Sequence, residues 1–89
     1  MDLSSHSFVA IAEIDVYKGE PRWVDTAKVG GRAIPKSFVP GSDAALDAAN
    51  WIWAMESNEY PAGFIWEIIP YTPRALAEFA GRNAEYCKG

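Results

Sequence analysis

From Ser7 to Tyr17 the chain alternates. Phe8, Ala10, Ala12, Ile14 and Val16 recur on one side at the two-residue period of a β-strand. The other side carries Val9 and Ile11, then Glu13 and Asp15, which predicts a face buried at its start and wet at its end. Lys18-Gly19-Glu20-Pro21 reads as a turn, with Gly supplying permissive φ and Pro closing it. A second strand, Arg22 to Val29, follows as the antiparallel partner. Its one face holds Trp23, Asp25, Ala27 and Val29, and its other face Arg22, Val24, Thr26 and Lys28. Gly30-Gly31 is a second turn. Arg32 to Val39 predicts a short third strand, which Pro35 confines to a sheet edge.

The period then changes. Ser42 is an N-cap and Asp43 lies in the positive first turn of a helix running to about Ser57. At 3.6 residues per turn, Ala45, Leu46, Ala48, Ala49, Ile52, Trp53 and Met55 form its apolar arc. Asp43, Asp47, Asn50, Ala54, Ser57 and Asn58 form the polar arc, with Trp51 at its edge beside Asp47 and Asn58. Residues 58–63 form a loop in which the Tyr60–Pro61 bond can adopt the cis form. Phe64 to Ile69 has two apolar faces and only Glu67 polar, the pattern of a central strand. Thr72-Pro73 opens a last helix, a capping hydroxyl followed by Pro at the first helical position. That helix buries Ala75, Leu76, Phe79, Ala80 and Tyr86, while Arg74, Glu78 and Arg82 lie four apart on its wet face.

The order β-β-(β)-α-β-α predicts a small two-layer α+β domain. Its antiparallel sheet of three to four strands would carry both helices on one face. The 89 residues suit one domain, with 1–6 a flexible lead-in, and no repeat or linker interrupts them.

Composition sharpens this picture. A hydrophobic content of 49 % argues against disorder, and twelve Trp, Tyr and Phe residues exceed what so small a core needs, leaving some for a surface. Cys87 is the sole cysteine, which excludes an internal disulfide and points to a reducing compartment, the cytoplasm. No leader-like opening and no apolar run of about 20 residues is present, so no membrane partner is expected.

The net charge of −4 is unevenly spread. Residues 1–40 hold five acids (Asp2, Glu13, Asp15, Glu20, Asp25) and five bases (Lys18, Arg22, Lys28, Arg32, Lys36). Residues 41–71 hold five acids (Asp43, Asp47, Glu56, Glu59, Glu67) and no base. Residues 72–89 return Arg74, Arg82 and Lys88 against Glu78 and Glu85. A general phosphate-backbone binder needs clustered bases, so direct nucleic-acid binding is disfavoured. An acidic face aimed at a basic protein is favoured.

Little in the chain suggests catalysis. Gly30-Gly31-Arg32-Ala33-Ile34-Pro35-Lys36-Ser37 approaches the phosphate-loop pattern, but Pro35 replaces the second Gly and lacks the N–H such a loop aims at phosphate. A turn and edge strand explain it better. His6 and Cys87 sit near opposite ends, and one His with one Cys cannot furnish the donors zinc prefers. No calcium-loop spacing of acids occurs. No cofactor, metal site or enzyme activity is expected. Asp43, Asp47, Glu56 and Glu59 are the candidate partner-binding acids, and Trp51 is the candidate aromatic anchor within their polar rim. Trp51 can equally cover a neighbouring loop. Arg22, Lys28, Arg32 and Lys36 read as solvated sheet residues, since the aromatic strand lacks an RNA-stacking motif.

From Gly41 to Leu76 the text runs GSDAALDAANWIWAMESNEYPAGFIWEIIPYTPRAL. This resembles the plan of small phage-encoded anti-CRISPR proteins: a Gly-Ser-Asp opener, an Ala-rich helix with Trp and Met, an Asn-Tyr loop, an apolar strand and a Pro-led last segment. It covers under half the chain. The resemblance implies a stoichiometric inhibitor in the host bacterial cytoplasm, docking on a basic, nucleic-acid-handling surface such as a Cas protein of a type I effector complex. It would block DNA binding or nuclease recruitment as a monomer or weak homodimer. No family functional residue transfers to a position in this chain. The competing expectation is an antitoxin-like or regulatory module acting as a homodimer through an edge strand.

Overall fold

The computed structural model describes residues 8–25, 27–57 and 63–83. The elements are β1 (Val9–Asp15), β2 (Pro21–Trp23), β3 (Lys28–Val29), β4 (Arg32–Ala33), α1 (Asp43–Ser57), β5 (Phe64–Pro70) and α2 (Pro73–Arg82). The class is α+β as expected, with a three-stranded antiparallel sheet in the order β2-β1-β5 and a separate two-stranded ribbon, β3-β4.

β1 is the centre of the sheet. It pairs with all seven residues of β5, from Val9↔Pro70 to Asp15↔Phe64, and with β2 through Ala12↔Trp23, Glu13↔Arg22 and Ile14↔Pro21. Beyond β2 its outer bonds continue: Val24 N–H donates to the Ile11 carbonyl, and Val9 and Phe38 exchange bonds of 2.8 and 2.9 Å. This corrects the placement of Phe64–Ile69 as a central strand. Among the described residues β5 is an edge, and its two apolar faces reflect cover above and below the sheet, not strands on both sides.

That cover is the second correction. The two helices lie on opposite faces of the sheet, not on one. Ile11 of β1 and Phe64, Trp66 and Ile68 of β5 share a cluster with Ala44, Ala48, Trp51, Ile52 and Met55 of α1. Their neighbours in the strands, Ala12, Ile14, Ile65 and Ile69, pack with Ala75, Leu76, Phe79 and Ala80 of α2. Alternating side chains of a strand point to opposite faces, so a strand apolar on both needs a helix on each. Residues 10–14 of β1 are accordingly buried without a break.

The strand expected over Arg22–Val29 is divided. Trp23 packs on the α2 side, whereas Val24 and Ala27 join the α1 cluster. Trp23 and Val24 still alternate as strand neighbours, and beyond the Val24–Ile11 bond the chain runs to β3, which lies against α1. β3 and β4 pair through Lys28↔Ala33 and Val29↔Arg32, joined by Gly30 and Gly31 with φ of 58° and 80°. Two positive φ values match a two-residue hairpin turn, which any β-carbon would strain. Of the expected third strand, Arg32–Ala33 pairs with β3 and Phe38 bridges to Val9 of β1, with Pro35 between them.

Both helix starts follow their local chemistry. Ser42 Oγ accepts from Ala45 N–H at 3.3 Å and donates to the Val39 carbonyl at 2.6 Å. Thr72 Oγ1 accepts from Ala75 N–H at 3.0 Å with Pro73 opening the helix. Gly63, which leads into β5, has φ of 95°, and a β-carbon there would sit 2.6 Å from the Tyr17 ring. The Tyr60–Pro61 bond, Tyr86, His6 and Cys87 lie outside the described residues.

Candidate partner-binding surface

α1 is apolar around most of its circumference, so its rotation about its own axis decides what it offers to solvent. Ala44, Ala48, Trp51, Ile52 and Met55, spaced at helical intervals, turn towards the sheet. The Trp51 and Trp66 rings meet edge to face, with centroids 5.6 Å apart and planes at 79°. Trp66 in turn stacks beside Phe64 at 6.0 Å. On the other flank, Arg32 of β4 donates to Asp47 through Nη2 at 2.6 Å and Nε at 3.3 Å. The hydrogen bond and the charge of Asp47, with the charge of Asp43 behind them, raise the Arg32 pKa, so it stays cationic. The aromatic contact and the ion pair together set the rotation.

The consequence inverts the expected roles of the two tryptophans. Trp51 is half-buried in the α1 core cluster, and Trp53, expected inside, is 70 % exposed. Leu46, one of the residues assigned to the buried arc, is 62 % exposed. Leu46, Ala49, Asn50 and Trp53 thus line the outer face at the i, i+3, i+4, i+7 spacing of a helical stripe, and all four are exposed. Asp43 and Glu56 are exposed near the two ends of this stripe, and α1 contains no base.

The five predicted site residues are therefore dispersed. Asp43 and Glu56 flank the outer stripe, Asp47 is held by Arg32, Trp51 packs inward, and Glu59 lies outside the described residues. Glu67 also leaves the acidic surplus, because Arg82 of α2 reaches it at 2.9 Å. Tertiary structure thus brings bases from both flanking segments to two acids of the base-free stretch. Asp43 and Glu56 are the described acids of that stretch without an ion-pair partner among the described residues. Trp53 and Leu46 were missed for a specific reason. Two apolar arcs about 100° apart both fit the sequence of α1, and hydrophobic spacing does not rank them.

The bases of the hairpin region are partly occupied. Arg22 pairs with Glu13 at 3.2 Å and Arg32 with Asp47, while Lys28 and Lys36 are exposed. The phosphate-loop-like run is resolved into the β3–β4 turn and a non-helical segment, with no helix until Asp43. Among the described residues no group of three or more His, Cys, Asp or Glu is placed to hold a metal ion. No helix among them is long and apolar enough to cross a membrane. Comparison with family models, with curated proteins and with solved structures finds no match to this chain.

Proposed function

We propose that the chain is a small, non-catalytic inhibitor that binds a protein partner through the outer face of α1. The observation that carries this is the exposed Leu46–Trp53 stripe, a large aromatic and an aliphatic side chain held on a rigid helix between Asp43 and Glu56. Exposed Trp on ordered backbone is what binding hot spots use, and flanking acids steer a basic partner into register. Absence of any base on α1 favours a partner whose own surface is basic, as nucleic-acid-handling proteins are. The resemblance of residues 41–76 to anti-CRISPR proteins supports a type I CRISPR effector complex as that partner, met in the bacterial cytoplasm.

The test is infection of a CRISPR-immune bacterium expressing this protein with a phage its guides target. Plaques are expected. Intact immunity in every type I subtype tried overturns the CRISPR form of the proposal. With a purified effector complex that it binds, Trp53→Ala is expected to weaken affinity by roughly thirty-fold or more, the scale of a 2 kcal/mol hot spot. Reversal of Asp43 and Glu56 to Lys is expected to slow association in low salt. Unchanged affinity and rate in both variants would exclude this face of α1.

A second reading has its own observation. The outer edge of β5 has no paired strand among the described residues. Because Val16 N–H bonds Gly63 and Tyr71 N–H bonds Phe8, the odd residues of β5 face β1 and the backbones of Phe64, Trp66 and Ile68 face outward. Pro70, next in that row, has no N–H to offer and limits the length of any added strand. A homodimer built on this edge would sediment at twice the monomer mass, and a lysine or proline at Ile68 would disrupt it.

A further inference from the structure

The register of the sheet sets three side chains in one row: Arg22 of β2, Glu13 of β1 and Trp66 of β5 are direct cross-strand partners. Glu13 is the charged residue of the central strand's buried run, and only 8 % of it is exposed. A carboxylate so placed needs compensation. Trp66 Nε1–H donates to Glu13 Oε1 at 3.2 Å, and Arg22 Nε donates to Oε2 at 3.2 Å. The compensating cation is loosely held. The Arg22 side chain is 73 % exposed and engages Glu13 through Nε, not through the paired fork of a bidentate contact. A carboxylate has about four lone-pair sites, so these two bonds leave acceptor capacity.

Glu13 and Arg22 also border an open groove of about 240 Å³ on the α1 side of the sheet. Its wall is aromatic: Trp51, Phe64 and Trp66 line it together with Met55. The perpendicular indoles of Trp51 and Trp66 make a corner, and Asp25 adds a second carboxylate at the rim. A buried anion beside several π-faces and a thioether is the chemistry that recognises an organic cation, through charge at one end and cation–π contact along the stem. A neutral apolar ligand would leave Glu13 to be desolvated without gain. An anion would be repelled by it. A hydrated metal ion would find few oxygen donors on this wall.

We propose that this groove binds an alkylammonium group of the kind that ends a lysine side chain, with Glu13 as its counter-ion, Trp51, Phe64 and Trp66 as its aromatic wall, and Arg22 as an internal cation that it displaces. The site lies on the inner flank of α1, apart from the Leu46–Trp53 stripe, and stands independently of the inhibitor reading. Arg22 would then act as a built-in competitor, keeping the buried carboxylate neutralised when no ligand is present.

The test follows the Trp66 indole N–H resonance, identified by its loss in Trp66→Phe, during titration with n-butylammonium. A second arm uses a capped Gly-Lys-Gly peptide, and n-butanol and the norleucine peptide are the neutral controls. Saturable shifts with the cations and none with the controls are expected. A response to both cations identifies a lysine side chain as a competent source, and a response to butylammonium alone identifies free amines. Glu13→Gln should weaken binding by roughly tenfold or more, the scale of one charge-assisted hydrogen bond. Arg22→Ala, which removes the competing cation, should tighten it severalfold. Equal shifts with charged and neutral probes, or no saturable shift in either the native protein or Arg22→Ala, would overturn the proposal. So would Arg22→Ala that binds more weakly than the native chain, which would make Arg22 part of the site instead of its competitor.

Discussion

The α2 helix carries its large apolar residues on one stripe, and α1 carries them around most of its circumference. In α2, Ala75, Leu76, Phe79 and Ala80 face the sheet, while Arg74, Glu78 and Arg82 face away and form ion pairs. Such a helix has one orientation in which its apolar surface is dry. Ten of the fifteen residues of α1 are Ala, Leu, Ile, Trp or Met, and any rotation leaves some of them wet. The difference teaches where exposed apolar surface originates in a small domain. α2 commits its two large apolar side chains, Leu76 and Phe79, to the core. α1 has more than the core consumes, and the excess, Leu46 and Trp53, is presented to solvent.

The comparison breaks first, if it breaks, at the α2 face. Phe79 is fully buried among Ala12, Ile14 and Ile69, so Phe79→Ala removes the ring that joins helix to sheet. A loss of about 3–5 kcal/mol is expected in a urea or guanidinium titration, enough to leave a chain of this size largely unfolded. A loss below about 1 kcal/mol would mean that α2 is not packed as described.

The two tryptophans of α1 sharpen the contrast. Trp51→Ala should cost about 2–3 kcal/mol, combining a partly buried ring with its edge-to-face contact on Trp66. Trp53→Ala should change the same midpoint by no more than about 0.5 kcal/mol, as exposed substitutions do. The reverse order in the two titrations would restore the rotation with Trp53 inside and Trp51 at the polar edge.

The smallest effect compares the helix starts. Thr72→Ala should cost about 1 kcal/mol by removing the acceptor for Ala75 N–H. Ser42→Ala should cost as much or slightly more, because Ser42 also donates to the Val39 carbonyl and so holds the preceding turn. Paired denaturant midpoints measure both. A neutral Ser42→Ala would show that α1 is held by packing alone.

Much of the architecture is legible in the residues, and the exceptions have physical causes. Ser42, Thr72 and Pro73 mark helix starts through bonds made within three residues, so no tertiary contact is needed to find them. The seven residues of β1 announce a strand by their period. What they do not announce is which strand is central. β5 looks like an interior strand because both its faces are apolar, yet burial above and below a sheet says nothing about neighbours in its plane. The same confusion placed both helices on one face. Glu13 in β1 reads as the wet side of the strand. Once Trp66 and Arg22 hold its carboxylate, that side accepts a helix.

The candidate partner-binding residues divide along the same line. Asp43 and Glu56 are exposed where a sequence reading places them, but Asp47 and Glu67 are drawn into ion pairs by Arg32 and Arg82, each fifteen residues away along the chain. Charge counted along a segment therefore overstates charge on a surface.

The sequence by itself determined both helix starts, the strands β1 and β5, the turn at Gly30-Gly31 and the apolar stripe of α2, because each depends on dihedral preference, residue period or bonds within one turn. Tertiary structure alone decided the central strand, the side of the sheet each helix covers and the rotation of α1 that turns Trp51 inward and exposes Trp53. Those outcomes depend on which distant surface a residue meets, and an apolar side chain is equally suited to any dry surface of the right shape.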